Sequence, residues 1–91
     1  MTERVYDIAW TPSARKALSR VPEKVGTAAI EFLYGPVAAN PYRLGKSLRL
    51  KLDGLWSARR GDYRVVYRID EDARRVDVIA IEHRSDVYRP R

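Results

Sequence analysis

The chain has 91 residues, with 18 Lys/Arg against 12 Asp/Glu, one His and no Cys. That length makes one small domain, residues 1–91, with a small core. The absence of cysteine excludes a disulfide framework and a thiolate metal site, and a single His argues against a conventional zinc site, so no metal or cofactor is expected. No stretch reaches signal-peptide length or the ~20 apolar residues of a membrane span, so a cytoplasmic protein is expected.

Val5 to Trp10 reads as a first strand. Thr11-Pro12 then opens a helix, Thr11 as N-cap and Pro12 at the first helical position, where a missing N–H costs nothing. Ala14, Ala17, Leu18 and Val21 form its apolar stripe. Pro22 breaks it and starts a second helix with Val25, Ala29, Phe32 and Leu33 at helical spacing. Gly35-Pro36 falls near its end, with one more turn at Val37-Ala38-Ala39 before Asn40-Pro41. Tyr42 to Leu48 is expected as a loop, and Arg49 to Leu52 as a half-exposed strand. Asp53-Gly54 signals a tight turn. Leu55 to Arg60 and Asp62 to Ile69 are strands around Gly61, and Asp70 to Arg74 is a polar hairpin loop. Val76 to Ile81 is expected as a central strand buried on both faces. The tail from Arg84 holds one helical turn. The order β-α-α-β-β-β predicts an α+β fold: an antiparallel sheet of about four strands with an N-terminal helical hairpin on one face.

Charge is uneven along the chain. Residues 1–41 carry five Lys/Arg against four acids, and residues 42–91 carry thirteen against eight. The densest part holds Arg43, Lys46, Arg49, Lys51, Arg59, Arg60, Arg64 and Arg68. A basic half attracts polyanions and gives non-specific nucleic-acid affinity. On charge alone, a nucleic-acid surface and a merely solvated one are equally good explanations. As a nucleic-acid surface it would use Lys46, Arg49, Lys51, Arg60 and Arg68.

Strand period 2 places Tyr63, Val65, Tyr67 and Ile69 on one face, and Arg64, Val66 and Arg68 on the other. The apolar set is the natural bed for the helices, so Arg64 points to the open face. The same count puts Arg59 and Arg60 on opposite faces, so only one of them joins Arg64. Arginine grips phosphate bidentately and stays charged; the plain alternative is an arginine-dressed face kept for solubility. His83 and Arg84 end the last strand, beside Arg64. His83 is the one side chain that ordinarily titrates near neutrality, and proton transfer and a surface role both fit it. Tyr88, four residues after Arg84, either stacks on a base or caps the core. A basic set of this kind suits attack of an RNA 2′-hydroxyl on the adjacent phosphate, a reaction that needs cations around the transition state rather than a metal.

Three stretches carry a resemblance that spans nearly the whole chain: Leu44-Gly45-Lys46-Ser47-Leu48, the run from Leu55 through Arg59-Arg60-Gly61-Asp62-Tyr63-Arg64 to Tyr67, and His83-Arg84-Ser85-Asp86-Val87-Tyr88. They resemble the RelE/ParE superfamily of bacterial toxins, within it the RelE branch of ribosome-dependent mRNA endonucleases, and most of all actinobacterial RelE toxins. The resemblance implies a toxin that enters the ribosomal A site and cuts mRNA there. It also implies a cognate RelB-like antitoxin and repression of the operon through operator DNA bound by the complex. The family's transition-state arginine falls on Arg64, its second basic position on Arg59, its C-terminal basic residue on Arg84 and its tyrosine on Tyr88. Two family lysine positions fall on Leu55 and Ser57, which leaves the general base to Arg49, Lys51, Arg60 or His83. The alternative is a ParE-type toxin, which shares the fold but inhibits DNA gyrase without cutting RNA. Arg84, Tyr88 and the basic face favour RNA cleavage.

Overall fold

A computed structural model describes residues 5–48 and 54–83. The chain begins with β1 (Asp7–Trp10), α1 (Pro12–Arg20) and α2 (Glu23–Phe32), which continues through a π-helical stretch, Leu33–Val37. A short α3 (Pro41–Leu44) leads to β2 (Lys46–Leu48), β3 (Leu55–Arg60), β4 (Tyr63–Asp70) and β5 (Arg75–His83). The helix starts follow their capping chemistry. Thr11 Oγ1 accepts the Ala14 N–H at 3.1 Å and donates to the Val78 carbonyl at 2.8 Å, so one side chain caps α1 and ties it to β5. Pro36 lies inside the π-helical stretch, where a widened turn accommodates a residue without an N–H. Asn40 caps α3 by accepting the Tyr42 N–H at 3.1 Å.

The sheet order is β1-β5-β4-β3-β2. Neighbours joined by tight turns run antiparallel, but β1 lies parallel to β5, because the helices carry the chain from β1 to β2 at the opposite edge and the meander of β2 to β5 then returns to β1. The α+β class therefore stands, with five strands among the described residues and one parallel pair at an edge. The stretch expected as a loop from Tyr42 to Leu48 instead holds the end of α3 and all of β2, since Asn40-Pro41 starts a turn as well as ending one. The strand expected at Arg49 to Leu52 and the helical turn after Arg84 lie outside the described residues.

The helices cover one face only. Ala14, Ala29, Phe32, Leu33 and Val37 pack against Ala58, Tyr63, Val65, Tyr67, Val76, Val78 and Ile81. The strand β5 is central, as expected, but it is fully buried on this face alone; Ile79 and Ala80 are half-buried. Register between β4 and β5 slips at Val66/Tyr67, where Ala80 pairs with Val66 and Val78 with Tyr67, leaving Ile79 as the extra residue of a bulge. Two polar anchors hold the ends. Tyr67 is fully buried and its hydroxyl donates to the Pro41 carbonyl at 2.7 Å, which fixes α3 on the sheet. At the far hairpin, Glu71 Oε1 accepts from Tyr6 at 2.7 Å and from Tyr42 at 2.6 Å, while Arg74 stacks over the Tyr6 ring at 4.2 Å. The bonds from Tyr42 and Tyr6 hold the Glu71 carboxyl below its usual range, and the bond to Glu71 pushes the Tyr42 phenol up.

Candidate functional site

The uncovered face of the sheet takes its character from residues of one strand parity. The β3–β4 turn sets it. Gly61 adopts φ 62°, a left-handed conformation that suits glycine, and Gly61-Asp62 closes a two-residue hairpin between the paired Arg60 and Tyr63. That closure places Arg59 opposite Arg64, and Ser57 opposite Val66. Directly opposite residues share a face with Cβ atoms ~5 Å apart. Arg59 is therefore the arginine that joins Arg64, and both are exposed.

The row extends one strand further. Glu82 on β5 is opposite Arg64, and Arg64 Nε donates to Glu82 Oε1 at 2.7 Å. Both side chains are about half exposed, 52% and 45%, so the pair adds at most about 1 kcal/mol of stability, and its interest is in orientation. It engages the guanidinium through Nε and leaves both Nη groups without a protein partner among the described residues. Lys46 on β2 is opposite Ser57, diagonal to Arg59 and on the same face. Arg68 lies four residues beyond Arg64 on β4, ~13 Å along the strand. Lys46, Arg59 and Arg68 are exposed and make no ion pair among the described residues. Acidic partners collect at the Arg68 end of the face, away from Arg59 and Arg64: Asp77 is opposite Arg68, and Arg75 bonds Asp77 at 2.6 Å and Asp70 at 3.2 Å.

Two expected members lie on the opposite side. The Arg60 guanidinium stacks over the Phe32 ring of α2 at 4.9 Å, because Arg60 has the parity of Tyr63 and Ala58 and faces the helices. His83 is opposite Tyr63 and shares that helix-covered face. The reason is the bulge at Ile79. Counting by two from Val76 puts His83 on the open face and Glu82 on the covered one, and the extra residue reverses both. Glu82 is what sequence reasoning missed; a carboxylate at a nominal core position was the signal for the bulge. Arg49, Lys51, Arg84 and Tyr88 lie outside the described residues. No group of three or more potential metal ligands occurs among the described residues. The site is thus a cation-rich strip across β2, β3 and β4 that suits a phosphodiester backbone, with one carboxylate at its β5 border. The shallow groove of about 430 Å³ along Glu23, Lys24, Thr27, Ala28 and Glu31 lies on the outer side of α2, away from this strip.

Comparison with known proteins agrees with this architecture. Residues 8–88 match the family described as ParE toxin of type II toxin–antitoxin system, parDE. Toxin RelE of Mycobacterium tuberculosis is 55% identical over 84 residues, which cover 92% of this chain and 87% of that protein. Toxin RelG of the same organism is 42% identical over 84 residues, covering 92% and 97%. Among solved structures, the toxin–antitoxin complex RelBE2 from Mycobacterium tuberculosis contains a chain that superposes with a TM-score of 0.86 at 40% identity, covering 88% of this chain and 99% of that one. The chain belongs to the RelE/ParE superfamily of type II toxin–antitoxin toxins, and its likeness is to the RelE group.

Proposed function

We propose that this RelE-group toxin is a ribosome-dependent mRNA endonuclease that cuts the A-site codon and so stops translation. The observation that carries the reading is the Arg59–Arg64 pair, two guanidiniums directly opposite each other on the face that no helix covers. In the reaction, an RNA 2′-oxygen bonds to the adjacent phosphorus, the bond from phosphorus to the 5′-oxygen breaks, and a 2′,3′-cyclic phosphate and a 5′-hydroxyl result. No electron transfer is involved and no metal is required. The demand is for positive charge around a phosphorane that carries more negative charge than the ground state. Arg64, oriented through Nε, turns its free Nη groups to that phosphate, and Arg59 takes a second non-bridging oxygen. Lys46 and Arg68 hold neighbouring phosphates of the strand. Arg84 and Tyr88 join them by resemblance, and Arg49 and Lys51 as members of the basic run around the site. In-line attack needs the 2′-oxygen, phosphorus and 5′-oxygen held in one geometry, and on this reading the ribosome supplies it by presenting the A-site codon.

A cognate RelB-like antitoxin is the expected partner, by analogy with the RelBE2 complex. It inhibits by covering or distorting the Arg64 face, and the complex binds operator DNA through the antitoxin. The system works in the cytoplasm.

The test is primer extension on a defined mRNA in a reconstituted translation system, beside a DNA gyrase supercoiling assay. Cuts at the A-site codon that require ribosomes and vanish in Arg64→Ala support the reading. Intact mRNA with inhibited gyrase would move the protein to the ParE-type activity.

A further inference from the structure

We propose that Glu82 is the proton acceptor for the attacking 2′-hydroxyl, a further catalytic residue beside Arg64. This deepens the RNA-cleavage reading above and rests on it. The cations of the strip do not serve: arginine does not give up its proton, and Lys46 lies opposite Ser57, outside the row that holds Arg59 and Arg64. Among the described residues, four strand carboxylates share the open face by register: Asp7, Asp70, Asp77 and Glu82. Asp77 is engaged twice by Arg75, and Asp70 accepts from Arg75 and from the Ala73 N–H. Asp7 is opposite Arg75 at the same remote end. Glu82 alone stands in one row with Arg64 and Arg59.

Its geometry divides the labour between the two oxygens. Oε1 accepts from Arg64 Nε at 2.7 Å, while Oε2 accepts no hydrogen bond among the described residues and the side chain is open to solvent. A phosphate on the Nη groups of Arg64 therefore sits within one side chain of a carboxylate oxygen with free lone pairs. The step balances. The 2′-hydroxyl proton passes to Glu82 Oε2 as the 2′-oxygen bonds to phosphorus. The 5′-oxygen departs with its electron pair and takes a proton from water. Glu82 then returns its proton to water. Among the described residues, the charged or titratable groups near Glu82 by register are Arg64 opposite on β4, Arg59 beyond it, Asp62 in the adjoining turn, and His83 next in sequence on the other face of the sheet.

Glu82→Gln separates this role from mere positioning. Glutamine keeps a carbonyl oxygen that accepts from Arg64 Nε, but it takes up no proton. Single-turnover A-site cleavage by the full toxin on mRNA-programmed ribosomes should fall about 10²–10⁴-fold in Glu82→Gln. Ribosome binding and melting temperature should be unchanged, and Glu82→Asp should recover part of the rate. Cleavage by Glu82→Gln within a few-fold of wild type overturns the inference while leaving the nuclease reading intact. A loss of rate matched by an equal loss of ribosome binding overturns it as well. Failure of the wild type itself to cleave overturns the nuclease reading instead, while cleavage of an mRNA with a 2′-deoxy nucleotide at the scissile position overturns attack by the 2′-hydroxyl and with it the role of Glu82.

Discussion

Gly45 joins α3 to β2, and the consequences of adding one methyl group there are calculable. Its backbone is extended, φ −101° and ψ 170°, so alanine suffers no conformational strain. The obstacle is space. A Cβ would overlap the Tyr67 hydroxyl and lie 3.3 Å from the Ser57 carbonyl oxygen. Tyr67 has 0% exposure and its hydroxyl donates to Pro41, so it retreats only by giving up that bond. Leaving the Pro41 carbonyl unpaired costs about 1–3 kcal/mol. Overpacking adds a similar amount, and the stiffer unfolded chain returns about 0.4–1 kcal/mol. Gly45→Ala should thus cost about 3 kcal/mol. In a domain of this size each kcal/mol shifts Tm by about 4–8 °C, so calorimetry should show a fall on the order of 10–25 °C. Tyr67→Phe alone should cost about 1–2 kcal/mol. In the double variant the clashing oxygen is gone, so the two costs should not add, and a coupling of roughly 1–2 kcal/mol should appear in denaturant titrations. Additive costs, or a Gly45→Ala protein as stable as wild type, would refute the account of how α3 is held.

Arg59→Ala should lower A-site cleavage by about 10²–10³ with Tm nearly unchanged, whereas Arg60→Ala should cost about 0.5–1 kcal/mol through its lost stacking on Phe32 and leave cleavage intact; equal effects on cleavage would dissolve the two-face assignment. Affinity for single-stranded RNA should fall with salt with a log–log slope of about −3 if Lys46, Arg59, Arg64 and Arg68 each neutralise one phosphate, and each alanine replacement should reduce that slope by about 0.7, as filter binding can measure. Burial pushes the Tyr67 phenol up to about 12 from an ordinary value of 10.0. The folded state therefore holds this proton more tightly than the unfolded one. The stability involved is fully present below pH 10 and is lost as pH rises through about 12. Urea titrations across that window should show the decline, and Tyr67→Phe should weaken it.

Much of this was legible in the residues themselves. Thr11-Pro12, Pro22 and Asn40-Pro41 mark helix boundaries because capping and proline geometry act within a few residues. The alternation through β4 assigns Arg64 to the open face, since the helices need the side that carries Tyr63, Val65 and Tyr67. The hairpin at Gly61 is equally local, and with strand parity it already separates Arg59 from Arg60. What stayed hidden depends on pairing between distant segments. The parallel placement of β1 against β5 follows from how the helices pack, and the choice of Arg59 over Arg60 becomes firm only with the register to Arg64. One bulged residue, Ile79, turns His83 to the covered face and brings Glu82 to Arg64. Parity survives along a strand only while its ladder is unbroken; Glu82 at a nominal core position signals that β5 slips, but only the pairing with β4 shows where. The sequence by itself thus determined the elements and the cationic character of the strip; tertiary pairing alone decided which carboxylate stands at its border, because register is a property of two strands and not of one.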